Sequence, residues 1–223
     1  MTGGRSGIGA AIVEALERDG VEVRVLDLAD GFDVADAHAW EAVEPVELAF
    51  LNAGVITGEG DVTRLTDAQY RRILGVNVDG VVFGVRRLAR VLEAGSAIVV
   101  TASLAGLTDM ARDPIYALTK HALVGFVRSV APQLAERGIR INAVCPGVVD
   151  TPLLGDEGRA RFAEAGFPLL RPEEVAEAAL LAAHDAETGQ AWVVQPGREP
   201  LKFRYPGVPG PRVEGARATL PPL

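Results

Sequence analysis

The chain opens with a glycine-rich turn that leads directly into a helical pattern. Glycines occupy four of the positions 3–9, and apolar residues at positions 8, 12 and 16 then share one helix face before Gly20 ends the pattern. The following stretch, EVRVLDL, has the composition of a strand, and its Asp27 lies twenty residues after Gly7. A glycine turn, a helix and a strand in this order predict an α/β fold with a parallel sheet.

The same turn indicates a ligand that carries phosphate. Glycine lets the backbone approach an anion closely, and the first turn of a helix offers free N–H groups and a positive dipole end to a pyrophosphate. The carboxylate of Asp27, at a strand end, can hold the hydroxyls of an adenosine ribose. The alternative for the turn alone is an ordinary loop before a helix, and the position of Asp27 counts against it.

Strands and helices alternate along the rest of the chain. The apolar runs VELAFLNAG, AIVVTAS, IRINAVCPG and QAWVVQPG are typical of buried strands. Helical patterns lie between them, and PEEVAEAALLAAH is expected to be a surface helix. Only five residues separate Asp27 from Asp33, so this crossover is expected to be a loop. We predict one doubly wound Rossmann-type domain with a parallel sheet over residues 1–197.

Both ends of the chain depart from this plan. Only Met1 and Thr2 precede the glycine turn, so the first strand of the sheet is predicted to be missing from this sequence. We expect the native start to lie upstream, with Met1 at an internal Val codon, GTG, that is read as a start; the alternative is a truncated product that folds poorly. At the other end, residues 198–223 are rich in Pro and Gly, which predicts a tail without regular structure, either disordered or packed on a neighbour.

A second stretch suggests acid/base chemistry. Pro114 is a good first-turn residue, and a helix that starts there places Tyr116 and Lys120 at i and i+4 on one face. A neighbouring ammonium group has the sign that lowers the pKa of a phenol from about 10 toward neutrality. Ser103 ends an apolar run, where ligands gather in open parallel sheets. For the pair alone, a tyrosine that packs and a lysine that snorkels are the alternative.

Composition excludes several classes of partner. A chain of 223 residues with 48% apolar and 23% charged residues suits one domain with a substantial core. The net charge of -8 and the lack of a basic cluster argue against nucleic acid and anionic membranes. No signal peptide and no apolar run of about 18 residues is present, so a cytoplasmic location is expected. The single Cys145 is expected to be buried, and three scattered His residues predict no metal site.

The motifs together resemble those of the short-chain dehydrogenase/reductase family, in one order along residues 1–197. They are T-G-x-x-x-G-I-G at residues 2–9, the strand-end Asp27, Asp33-Val34, N-A-G at 52–54, N-V-x-G at 77–80, Ser103, Y-x-x-x-K at 116–120 and P-G-x-x-x-T at 146–151. One departure is QPG at residues 195–197, where the family more often has D-G-G.

The resemblance implies a role for each site residue. The implied catalytic residues are Tyr116 as the proton-transferring acid/base, Lys120, which lowers its pKa and holds the nicotinamide ribose, Ser103, which orients the substrate oxygen, and Asn77, which supports a water-linked proton relay. The implied cofactor-binding residues are Gly3, Arg5, Ser6, Gly7, Ile8, Gly9, Asp27, Asp33, Val34, Asn52, Ala53, Gly54, Tyr116, Lys120, Pro146, Gly147, Val149 and Thr151.

This set favours an oxidoreductase that transfers a hydride between a nicotinamide cofactor and a secondary alcohol or ketone. The alternative is a dinucleotide-binding protein of the same fold that senses or scaffolds without turnover, and the complete catalytic set counts against it. Expected pocket walls such as Leu104, Met110, Val148 and Leu153 describe the substrate only as apolar.

The cofactor is expected to be NAD rather than NADP. A 2′-phosphate beside Asp27 would meet a like charge and lose affinity. Arg5 lies in the turn and could reach such a phosphate, but Ser6 stands directly before Gly7, where NADP-using relatives more often carry a basic residue.

The helix after Tyr116 predicts self-association. Its apolar positions exceed what one sheet-facing stripe requires; they are Ala122, Leu123, Phe126, Val130 and Leu134. The resemblance implies a homodimer or homotetramer formed through this helix and the one near residues 85–92. The alternative is that the tail covers the extra face within the monomer.

Overall fold

A computed structural model describes residues 1–208 and places a five-stranded sheet at their centre. The strands are Leu48–Leu51 (β1), Ala97–Thr101 (β2), Arg140–Pro146 (β3), Ala191–Val194 (β4) and Leu201–Lys202 (β5). They pair in the order β1-β2-β3-β4-β5; the first four are parallel, and β5 is antiparallel to β4. Helices connect the parallel strands, so the predicted α/β fold is confirmed.

Six α-helices flank this sheet within the described residues. They are Gly7–Arg18 (α1), Asp67–Leu74 (α2), Gly80–Val91 (α3), Pro114–Ala135 (α4), Gly155–Glu164 (α5) and Pro172–His184 (α6). A π-helical segment, Gly75–Asp79, joins α2 to α3. The expected loop crossover after Asp27 contains only a 3₁₀ turn, Leu28–Asp30. In residues 1–208 no helix is both long and apolar enough to cross a bilayer.

The sheet buries a different set of side chains on each face. Ile98 and Val100 of β2 point into the cluster formed with α3 and α4, whereas Val99 points into the cluster formed with α1 and α6. This alternation is the period-2 pattern of a strand that is covered on both sides. The result is a three-layer α/β arrangement, with the carboxyl ends of β1 to β4 left free at one edge.

The PEEVAEAALLAAH helix lies on the surface as expected, with exposed residues such as Glu177 and Leu181, but its other face is deeply buried. Within this helix, α6, residues such as Val175, Ala179 and Ala183 are buried against α1 and the sheet. Alanine is small enough to let two helices approach closely, yet it contributes little to a hydrophobic pattern. The sequence therefore understated how much of this helix is buried.

The strand expected within EVRVLDL does not form as a regular element. Thr2 makes isolated parallel bridges to Leu26 on one side and to Leu51 on the other, and the Leu26 N–H donates to the Met1 carbonyl at 2.8 Å. In the described residues, Met1 and Thr2 are the ladder partners available to this segment. A strand is recognised by consecutive hydrogen-bonded pairs with a neighbouring strand. Because only two residues are available as partners here, a single bridge forms instead of a strand.

The start of the Pro/Gly-rich segment forms structure that was not expected. Leu201–Lys202 form β5 on the edge strand β4, and beyond them Phe203 and Tyr205 pack against the α3/α4 side of the core. The Arg128 guanidinium of α4 lies 3.6 Å from the Tyr205 ring centroid. An edge strand tolerates the nearby prolines because its outer N–H groups need no partner. The rest of the predicted tail, residues 209–223, lies outside the described residues.

Candidate active site

The carboxyl ends of the parallel strands open into a cleft of about 710 Å³, a size typical of small-molecule sites. Ser103, Tyr116 and Lys120 all line it. The predicted cofactor residues that line the same cleft are Gly3, Ser6, Gly7, Ile8, Asp27, Asp33, Val34, Asn52, Ala53, Gly54, Tyr116, Lys120, Pro146, Gly147, Val149 and Thr151. The structure thus gathers residues from almost the whole described chain at one edge of the sheet, while Arg5, Gly9 and Asn77 lie outside the cleft wall.

The glycine turn has the geometry that a phosphate group requires. Gly3 and Gly7 adopt φ angles of 64° and 52°, in the left-handed region that favours glycine. A Cβ on Gly9 would lie 2.0 Å from the Gly3 carbonyl oxygen, so this residue allows α1 to sit against the turn rather than lining the cleft. The Ser6 side chain does not cap α1, which leaves first-turn N–H groups free for an anion.

Asp27 and Arg5 are positioned by each other and by Asp30. The Asp27 carboxylate accepts hydrogen bonds from the Arg5 and Ala29 N–H groups, at 3.1 and 3.0 Å. The Arg5 guanidinium instead forms a two-point ion pair with Asp30, at 2.8 and 3.1 Å. The Arg5 backbone thus orients Asp27 and its side chain is turned to Asp30, while the predicted place of Arg5 in the cofactor site stays a prediction.

The N-A-G motif after β1 is tied to the glycine turn. The Thr2 hydroxyl accepts from the N–H groups of Asn52 and Ala53 at 2.9 and 3.2 Å. The Asn52 side chain donates to the Gly3 carbonyl at 3.2 Å. These bonds fix the two loops relative to each other.

Tyr116 and Lys120 occupy successive turns of one helix, as predicted from their spacing. The helix, α4, begins at Pro114, and the Lys120 Nζ lies 5.4 Å from the Tyr116 ring centroid. The Lys120 ammonium is buried and donates to the Thr101 carbonyl at 2.8 Å. Ser103, after β2, caps the 3₁₀ turn Leu104–Gly106 by accepting from the Ala105 N–H at 3.1 Å.

Burial, rather than the Lys120 charge expected from the sequence, dominates the pKa of Tyr116. Burial raises the pKa of Tyr116 to about 12, the Asp113 charge adds to this, and the Ser103 hydroxyl acts in the opposite direction. Burial also lowers the pKa of Lys120 to about 8. Desolvation disfavours the charged form of both groups. A phenol with this pKa keeps its proton at neutral pH.

Asn77 lies neither inside a regular helix nor toward solvent. It is fully buried in the π-helical segment, a feature often found at functional sites. Its Oδ1 accepts from the Val55 N–H at 2.8 Å, and its Nδ2 donates to the Val55 carbonyl at 2.9 Å and the Thr119 hydroxyl at 3.0 Å. The side chain therefore links the loop after β1 to the helix that carries Tyr116.

Sequence reasoning missed Asp113, which is buried directly before α4. One carboxylate oxygen accepts from the Tyr116 N–H at 2.9 Å, and the other accepts from the N–H groups of Thr57 and Gly58 at 2.8 and 3.1 Å. An Asp directly before an N1 proline is a helix-capping signal that was present in the sequence. Nothing in the sequence indicated its second bond to a distant loop.

The far end of the cleft is apolar. The expected pocket walls Leu104, Met110, Val148 and Leu153 all line it. Phe162 of α5 and Phe167 after α5 also line it, with ring centroids 5.4 Å apart. This end suits the hydrocarbon part of a small substrate.

Comparison with known proteins places this geometry in a family. The family model described as Enoyl-(Acyl carrier protein) reductase matches residues 34–198, more than half of the chain. The chain belongs to the short-chain dehydrogenase/reductase family. Its function is therefore that of an oxidoreductase that transfers a hydride between a nicotinamide cofactor and an alcohol or carbonyl carbon.

Characterised members of the family cover most of the chain. This chain is 33% identical to a cyclohexanol dehydrogenase of Acinetobacter sp. (strain SE19), over 87% of this chain and 91% of that protein. It is also 33% identical to a cis-4-hydroxycyclohexanecarboxylate dehydrogenase of Sinomonas cyclohexanicum, over 83% and 88%. A short-chain dehydrogenase of Burkholderia cenocepacia J2315, solved in complex with NADP, is 27% identical with a TM-score of 0.74, over 88% of this chain and 95% of that chain.

Proposed function

We propose that this short-chain dehydrogenase/reductase interconverts an apolar, ring-shaped secondary alcohol and its ketone, with NAD as the preferred cofactor. The observation that carries the proposal is the convergence of Ser103, Tyr116 and Lys120 on one cleft, between a glycine turn and an apolar end. The names of two relatives, which describe cyclohexane alcohols, support the substrate class.

The residues present fit a nicotinamide dinucleotide. The uncapped first turn of α1 and the positive-φ Gly3 and Gly7 suit its pyrophosphate, and Asp27 suits its adenosine ribose. Lys120, beside Tyr116, would hold the second ribose. When bound, the cofactor supplies or accepts the hydride, and the chain supplies the proton and the orientation.

We assign the proton transfer to Tyr116. In ketone reduction its Oη donates a proton to the substrate oxygen, which the Ser103 hydroxyl orients. The Lys120 ammonium stabilises the resulting phenolate, and Asn77 supports the predicted water-linked relay that returns the proton. The raised pKa of Tyr116 suits this direction, because the phenol is protonated at neutral pH. In alcohol oxidation the same group must first lose its proton, so oxidation is expected to need higher pH.

NAD preference follows from the charges around the turn. The Asp27 carboxylate would repel a 2′-phosphate, and the nearby Arg5 guanidinium is already paired with Asp30. The Burkholderia relative solved with NADP is the reason to test this directly. Fluorescence titration with NADH and NADPH is expected to show tighter NADH binding, and tighter NADPH binding would overturn the assignment.

The decisive activity experiment is a screen of cycloalkanols and cycloalkanones with NAD⁺ and NADH, followed by the absorbance of NADH. Tyr116→Phe removes only the hydroxyl, so NADH is expected to bind as in the wild type while turnover falls by about 10²- to 10⁴-fold. Full activity of Tyr116→Phe would refute the acid/base role. Cofactor binding without turnover of any alcohol or ketone would favour the non-catalytic alternative.

Assembly and location stay predictions. Exposed Leu118 on α4 is consistent with the expected homodimer or homotetramer, but Phe203 and Tyr205 pack against the same α3/α4 side of the core within the chain. Light scattering at micromolar concentration tests the assembly, and a single 23.5 kDa species would contradict it. The cytoplasmic location likewise rests on the sequence.

A further inference from the structure

Tyr116 is bonded on both sides of its backbone to residues that reach the loop Gly54–Gly60. Its N–H donates to Asp113, which also accepts from Thr57 and Gly58 of the loop. Its carbonyl accepts from the Thr119 hydroxyl at 2.7 Å, and that hydroxyl accepts from Asn77, which is bonded twice to Val55. The loop and the proton-donating residue are therefore held in one network.

The loop supplies part of the cleft wall. Gly54, Val55 and Ile56 line the cleft, and Ile56 lies between the Val55 anchor and the Thr57–Gly58 anchor. Any shift of the loop would move these residues relative to the catalytic helix. The Asp113 side of this network depends on a single side chain, which is only 3% exposed.

We propose that Asp113 is a positioning residue, which fixes the cleft-lining loop Gly54–Gly60 against Tyr116 and so maintains the cofactor site. Within the described residues, the three partners of its carboxylate are main-chain N–H groups. An ionised carboxylate accepts hydrogen bonds from such groups more strongly than a neutral side chain does. Charge-assisted bonds to the first turn of a helix also benefit from the helix dipole. The part of the proposal that concerns the cofactor rests on the proposed function.

Asp113→Ser separates the helix cap from the loop contact. A serine hydroxyl can still cap the Tyr116 N–H but is too short to keep the second oxygen's bonds to Thr57 and Gly58. Amide hydrogen exchange, followed by NMR, is expected to be at least about tenfold faster at Thr57 and Gly58, with Tyr116 still protected. Asp61→Asn is the matched control, because Asp61 bonds the Thr63 N–H on the exposed side of the same region, and it is expected to change neither amide.

Cofactor affinity and pH dependence give the functional readouts. We expect Asp113→Ser to weaken NADH binding about tenfold. The groups that act on the pKa of the Tyr116 phenol are the Ser103 hydroxyl, Asp113 and Cys145, and the Lys120 ammonium lies beside the ring; the Asp113 charge raises this pKa. Asp113→Asn has nearly the same size but lacks this charge. In the pH profile of alcohol oxidation, the rise in rate that reports deprotonation of Tyr116 is therefore expected to move to lower pH.

Two results would overturn the proposal. Unchanged exchange at Thr57 and Gly58 would show that Asp113 does not hold the loop, and faster exchange with unchanged NADH affinity would show that the loop contact does not maintain the site. If Asp113→Ser does not fold, Asp113→Thr, which also keeps a hydroxyl able to cap the Tyr116 N–H, is used for the same comparison. A wild type that binds no NADH would refute the proposed function alone, since the exchange rates would still decide the loop contact.

Discussion

At the scale of single residues, Lys120 places a charged group where the fold disfavours charge. Its side chain is 3% exposed, and burial lowers its pKa from 10.5 to about 8. Its spacing from Tyr116 was predictable, because i and i+4 positions share a helix face. The directions of both pKa shifts were not, because they depend on burial, which the spacing does not report. The same limit applies to the loop contact of Asp113: its bonds to Thr57 and Gly58 join residues 55 positions apart or more.

Replacing this ammonium group should make the protein more stable. Between pH 8 and 10.5 the unfolded chain binds the Lys120 proton more tightly than the folded chain does, so the burial penalty is present in full below pH 8 and is relieved as the pH rises. Lys120→Met is therefore expected to raise the free energy of unfolding at pH 7 by about 1–3 kcal/mol while abolishing turnover.

Urea denaturation at pH 7 and pH 10 tests this difference. The gain from Lys120→Met should shrink at the higher pH. Comparison with the wild type at each pH removes those parts of the opposite effects of Tyr116 and Cys145 that do not depend on Lys120; burial raises the pKa values of both groups to about 12. A gain that does not depend on pH would contradict the explanation.

At the scale of elements, close approach between α1 and the glycine turn shapes the proposed cofactor site. The helix, its glycine turn and the start of α4 at Pro114 were predictable, because apolar spacing and turn residues are local signals. Elements that depend on partners distant in the sequence were not predictable. The strand expected around residues 22–28 is reduced to a bridge at Leu26, and Leu201–Lys202 form an edge strand in a segment whose composition suggested none.

Two glycine substitutions test the close approach. Gly9→Ala would place a Cβ 2.0 Å from the Gly3 carbonyl oxygen, so α1 must move away from the turn, and we expect NADH affinity to fall at least tenfold with a loss of stability. Gly125→Ala is the control in α4, where an added Cβ meets nothing within 4 Å. It should raise stability by about 0.5–1 kcal/mol because alanine favours helix.

Melting temperatures and NADH titrations of both variants decide the matter. Equal NADH affinity in Gly9→Ala and the wild type would mean that the turn adjusts without loss. A destabilised Gly125→Ala would mean that this face of α4 is covered by another molecule.

At the scale of the whole molecule, the cleft draws on residues from nearly every part of the described chain. Its wall includes Gly3 and Gln195, and the fixed loops around it depend on contacts such as that between Thr2 and Asn52. The family, the fold and the convergence of Ser103, Tyr116 and Lys120 on one cleft followed from motifs that recur in order. The packing of the elements did not follow from the motifs, as the alanine-rich helix α6 shows. Its small side chains give a weak hydrophobic pattern in the sequence but permit close contact in the structure.

This distribution has a kinetic consequence. Parallel strands and contacts between distant residues form late in folding, so the binding site should be incomplete in the folding transition state. A ligand that binds only the finished site stabilises the native state by about 2.7 kcal/mol at a hundred times its Kd and leaves the barrier to folding untouched. In stopped-flow experiments, saturating NADH should therefore slow unfolding roughly a hundredfold, while the refolding rate stays the same; faster refolding would place the cofactor site in the folding nucleus.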